Sequence, residues 1–155
     1  MVLHRQIIAF AFNQGFYNLF LATAALLGVI VNGLFVAICR AVGIPARCVY
    51  GLRTGSSRLF RNLGIAGDDA SRGQHVRAEF YVPGYSWVPV DPSDVRRTIA
   101  LDTLSDRDSK LISLRKVLFG VWEMNWIAFN LGTDVALPGR NSTIPFLLHP
   151  LLEVA

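Results

Sequence analysis

An α+β fold is what this sequence predicts, and three observations predict it. The apolar run from Leu34 to Val42 closes on Gly43, Ile44 and Pro45, the signature of a helix that ends there. Residues 75 to 82 alternate strictly, with His75, Arg77, Glu79 and Tyr81 on one face and Val76, Ala78, Phe80 and Val82 on the other, the period of a half-buried strand. Pro83, Gly84 and Tyr85 then turn the chain, and Ser86 to Asp91 returns as a second strand.

Composition sets the frame for these elements. With 155 residues, 52% hydrophobic and 17% charged, the chain is neither disordered nor collagenous, and one domain of this length buries a core without disulfides or metal. Two cysteines, Cys39 and Cys48, make no disulfide framework. They and the three histidines, His4, His75 and His149, lack the spacing of a zinc site. The net charge of +4 rests on thirteen arginines and two lysines that are scattered and form no basic stripe interleaved with aromatics, so nucleic acid is not an expected partner. Neither GxxxxGK[ST] nor GxGxxG occurs, which leaves a nucleotide cofactor without support.

Taken in order, residues 17 to 39 carry no charge and are long enough for a membrane span. Asn18, Asn32 and Gly33 interrupt that run and its last third overlaps the helix, so a buried core segment is preferred to a span or a secretory signal. Asn32 reads as the N-cap of the helix, which makes 1–31 an apolar segment of open status and 32–155 the folded domain. Arg47 to Arg53 reads as a strand. Residues 54 to 74 read as a surface loop with a short strand over 59 to 62. Pro89 places the strand 86–91 at a sheet edge or a bulge. Residues 92 to 110 are polar and charged, with Ser93 and Asp94 suited to starting a helical turn, and WIAFNL at 126–131 reads as a further strand.

The hairpin carries the candidate chemistry. With a three-residue loop at 83–85, Val82 opposes Ser86, Arg77 opposes Asp91, and His75 and Asp91 project from the same face; a two- or four-residue loop would turn Asp91 away. A base and the carboxylate that orients it are thereby held together.

The segments NGLFVAICRAVGIPARCVYG at 32–51 and HVRAEFYVPGYSWVPVDPSD at 75–94 resemble the active-site helix and the His and Asp segment of the transglutaminase-like superfamily, in particular its bacterial members. The stretch 119–154 is similar, more loosely, to the tail that follows the core. The resemblance implies a papain-like cysteine mechanism at a glutamine or peptide amide, in a protein or peptide substrate, with acyl transfer to an amine or to water and with no metal or organic cofactor. By matching position it makes His75 the general acid/base and Asp91 its orienting carboxylate. The family's cysteine falls at the start of the helix, where this sequence reads Gly28, Val29, Ile30 and Val31. Cys39 belongs to the last turn, where the helix dipole disfavours a thiolate, and Cys48 reads as a small strand residue. The expected activity is therefore impaired, and the alternative is an inactive binding or structural module, anchored to a membrane through residues 17–39.

Overall fold

The computed structural model describes residues 28–147, so the apolar stretch up to residue 27 and the tail from 148, which includes His149 and Glu153, lie outside the described residues. Among the described residues helix α1 occupies 28–41. It stops as the sequence requires: Gly43 takes φ 83°, its N–H donates to the carbonyl of Arg40 at 3.0 Å, and Ile44 N–H donates to that of Cys39 at 2.8 Å. These two bonds are the Schellman pair that satisfies a helix's last carbonyls, and Pro45 prevents continuation. The start differs from expectation. Asn32 lies inside the helix and is fully buried, because its side chain is used across the molecule rather than on its own backbone.

The helix is apolar all round but only one side is covered. Gly28, Asn32, Val36 and Cys39 face inward, whereas Ile30, Leu34, Ile38 and Val42, at four-residue spacing, are each more than half exposed. Val36 and Cys39 pack on Ala46, Ala78 and Val90, with Phe35, Cys48 and Phe80 around them, and this cluster joins α1 to the sheet. Among the described residues no helix is long and apolar enough to cross a membrane.

Four antiparallel strands form the sheet: β1 (Ala46–Arg53), β2 (Gln74–Val82), β3 (Ser86–Val90) and β4 (Trp126–Leu131), in the order β3-β2-β1-β4. Val82 pairs with Ser86 and Ala78 with Val90, so the hairpin loop has three residues, the parity that carries Asp91 to the face of His75. Pro89 is tolerated because β3 lies at the sheet edge. The expected strand over 59–62 is absent. That loop instead holds single 3-10 turns at Arg61–Leu63 and Ala70–Arg72, and it is pinned to the far end of the chain by Ser57 Oγ donating to Glu123 Oε2 at 2.5 Å and by Thr54 N–H donating to Asn125 O at 2.8 Å.

The polar stretch after Pro92 forms two helices, α2 (Pro92–Asp102) and α3 (Ser109–Val117). Each begins on an aspartate. Asp91 accepts from Asp94 N–H with Pro92 at the first helical position, and Asp108 accepts from Lys110 N–H, which satisfies donors that a helix start leaves open. Leu63, Leu114 and Leu118, flanked by Phe60 and Val95, make a second core beneath the long loop. A short ribbon of β5 (Val135–Ala136) and β6 (Thr143–Ile144) follows.

The pairing of β1 with β4 shifts register between Tyr50 and Gly51. There β4 crosses directly over Gly51: a Cβ at that position would collide with the carbonyl of Ile127 and lie 2.7 Å from the Trp126 ring. Gly51→Ala is expected to push β4 off its neighbour and cost about 1–3 kcal/mol, the usual scale of overpacking. Urea unfolding of the variant checks this, and an unchanged midpoint would contradict it.

Candidate functional site

The site is assembled where β2 begins and α2 begins. His75 enters from β2 and is 7% exposed; Asp91 sits at the junction of β3 and α2 and is 1% exposed. His75 Nε2 lies 2.7 Å from Asp91 Oδ2. A carboxylate oxygen only accepts, so Nε2 carries the proton and the lone pair of the neutral ring is on Nδ1. The other carboxylate oxygen is occupied too, since Asp91 Oδ1 accepts from Asp94 N–H at 3.1 Å and from Ser93 Oγ at 2.9 Å.

Asn32 ties α1 to this junction. Its Nδ2 donates to the carbonyl of Val76 at 2.5 Å and to Ser93 Oγ at 3.0 Å, and its Oδ1 accepts from Ser93 N–H at 3.3 Å. One turn earlier the helix reaches His75 itself. A Cβ added at Gly28 would lie 3.7 Å from His75 Nδ1, 3.9 Å from Cε1 and 3.9 Å from Ser93 Oγ. The ring nitrogen that is free to accept a proton therefore faces residue 28.

Buried charge surrounds the pair. Arg77, two residues along β2 on the same face, brings Nε to 3.3 Å from Asp91 Oδ2; its Nη1 donates to Glu123 O at 3.2 Å, and its guanidinium lies over the rings of Trp126 and Trp122 at 4.8 and 5.6 Å. Arg53 holds Asp94 with Nη2 2.5 Å from Oδ1. Two guanidiniums thus answer two carboxylates, and neither arginine is more than 2% exposed.

Set beside known proteins, residues 30–92 match the family model described as the transglutaminase-like superfamily. Residues 30–92 carry a transglutaminase-like core. An uncharacterized protein from Haemophilus influenzae is 40% identical over 137 residues, a match that takes in 80% of this chain and 37% of the relative's length. The chain thus spans little more than a third of that relative. No solved structure matches.

Within this transglutaminase-like core neither cysteine is beside the imidazole. Cys39 is eleven residues beyond Gly28, about 16 Å along the helix axis, and packs in the core. Cys48 pairs with Ala78, three positions from His75 on β2, and therefore projects from the other face of the sheet. Burial raises its thiol pKa, with the Tyr50 hydroxyl and Arg40 pulling the other way. His75, Asp91 and Asp94 bring ligand-type atoms within 4.8 Å of one another, and of these His75 Nε2, Asp91 Oδ2 and Asp94 Oδ1 are already engaged in ion pairs with each other or with Arg53 and Arg77.

Several members of the site were not singled out by the sequence. Asp94 and Ser93 read only as helix starters, Asn32 only as a cap, and Arg53 gave no signal. Arg77 was placed opposite Asp91 by the hairpin parity, but nothing in the spacing told of its burial under two tryptophans.

Burial holds the His75 pKa well below 6.5, reinforced by Arg53, Arg77 and Arg97 and opposed by Asp94. The folded protein therefore keeps the ring neutral, and below about pH 6.5 the unfolded chain binds the extra proton. Stability from this group is present above about pH 6.5 and is lost as pH falls toward the folded value, at up to about 1.4 kcal/mol per pH unit. Thermal melts between pH 7 and pH 5 should show the decline, and His75→Gln should flatten it. Arg77→Met is expected to destabilise by about 3–5 kcal/mol, because Asp91 keeps its burial and loses its cation. The same change raises the His75 pKa toward its ordinary value, which an NMR titration of the imidazole reads directly.

Proposed function

We propose that this domain is a transglutaminase-like scaffold that retains the base and carboxylate of a cysteine acyl-transfer site and lacks the nucleophile, so that it binds a glutamine or peptide amide without turning it over. Gly28 is the observation that carries this reading. A side chain there would start 3.7 Å from His75 Nδ1, so a thiol one bond further stands within reach of the ring's lone pair. Glycine offers neither a thiol nor a hydroxyl. Ser93 does not replace it, because its hydroxyl proton goes to Asp91 Oδ1 and its oxygen accepts from Asn32.

In the complete reaction that the family implies, Nδ1 takes the thiol proton, the thiolate attacks the carboxamide carbon, and the imidazolium returns the proton to the departing ammonia. The acyl-enzyme thioester then passes to an amine or to water. His75 and Asp91 supply the proton-handling half of that sequence, and the attacking atom is the part with no residue to provide it. The electrostatics agree, since Arg53, Arg77 and Arg97 all disfavour the imidazolium unless a thiolate offsets them.

Gly28→Cys tests the reading. Alkylation by iodoacetamide at pH 6 should modify residue 28 about tenfold faster than Cys39 or Cys48, and His75→Ala in the same background should remove the excess. Amine incorporation into a glutamine peptide should be absent in the wild-type chain and present in the variant. Wild-type turnover that disappears with His75→Ala would sink the proposal, and so would a residue-28 thiol no more reactive than the native two.

A further inference from the structure

Away from the imidazole, α2 and α3 leave a groove of about 600 Å3, within the range of about 300–1,000 Å3 that takes small organic ligands. Its walls are built by helical spacing. Pro92, Val95, Arg96 and Ile99 fall at i, i+3, i+4 and i+7 and so share one face of α2. Leu104, Phe119 and Phe35 of α1 add further apolar lining. The apolar surface is not consumed by packing, for Phe119 remains 61% exposed.

Charge decides what fits. Arg115 at the rim is held by Asp106 at 2.8 Å, and Asp91 is turned inward to His75 and Arg77. Arg97 acts on the buried site, where its charge is felt by His75 and Asp94. Arg96 is exposed on the groove side and has no ion-pair partner among the described residues. An apolar trough of limited volume with one uncompensated guanidinium at its edge is complementary to an apolar body bearing a single negative head. We infer that this groove binds a small anionic amphiphile, an acyl chain or comparable apolar group ending in one carboxylate. This is independent of whether residue 28 carries a nucleophile.

The test is displacement of anilinonaphthalene sulfonate from the full chain by dodecanoate, dodecanol and butyrate, read by fluorescence. Dodecanoate is expected to compete saturably and about tenfold more tightly than dodecanol, the scale of one charge-assisted contact, with butyrate weaker than either. Arg96→Gln, a change at an exposed side chain, should erase the preference for the carboxylate. Ile99→Trp should fill the trough and weaken both long-chain ligands. Equal affinity for acid and alcohol, or indifference to Arg96→Gln, overturns the inference. So does tighter competition by a peptide with an apolar C-terminal residue, and so do cross-links placing residues 1–27 of the same chain against Ile99.

Discussion

Asp91 carries two structural duties on one carboxylate. Its Oδ1 caps α2, and its Oδ2 takes the proton-bearing nitrogen of His75. The cap fixes where α2 begins, the imidazole bond fixes how β2 meets it, and Ser93, held between Asp91 and Asn32, brings α1 to the same point. Three separate elements are therefore referred to a single buried group. Leaving such a carboxylate without donors would cost several kcal/mol, so the elements are held together by the penalty of separating them as much as by the contacts themselves.

Satisfying Asp91 has consequences further out. A second buried acid, Asp94, follows at the start of α2, and burial together with Asp91 raises its pKa against the pull of Arg53. Arg53 and Arg77 balance the two carboxylates, and Arg77 in turn is enclosed by Trp122 and Trp126 and bonded to Glu123 O. Glu123 also receives the hydroxyl of Ser57 and the N–H of Arg58, so the stretch 122–126 links the long loop after β1 to the floor of the site. The neutrality of His75 follows first from its burial and then from this construction, because a proton on the ring would add a further cation beside Arg53, Arg77 and Arg97.

The local signals in the sequence were readable where one residue type dictates one conformation. Gly43 with Pro45 ended α1, alternation defined β2, and the length of the turn at 83–85 put His75 and Asp91 on one face. Signals that depend on long-range placement were not readable. Asn32 has the chemistry of a cap, and only the arrival of Val76 and Ser93 from other elements makes a helix-interior position its best use. In the polar stretch 92–102 only the helical start at Ser93 and Asp94 is readable, because its buried residues, Ser93, Asp94 and Thr98, are polar and leave no apolar stripe to mark the helix that follows. The apolar composition of α1 promised complete burial, yet Ile30, Leu34 and Ile38 are exposed, since composition does not record which side a partner covers.

Gly28 separates the architecture of the site from its chemistry. A glycine can be demanded by a positive φ or by a neighbour that leaves no room, and neither holds here. Residue 28 is helical, and an added Cβ would meet its neighbours at 3.7–3.9 Å, ordinary van der Waals distance. The close approach of α1 to His75 is set one turn later by Asn32 and two turns later by Val36, neither of which depends on what residue 28 carries. The fold therefore does not require glycine at this position. The scaffold consequently holds an imidazole with its accepting nitrogen aimed at a place where any small side chain would fit, and the network that holds the ring there does not depend on what residue 28 carries.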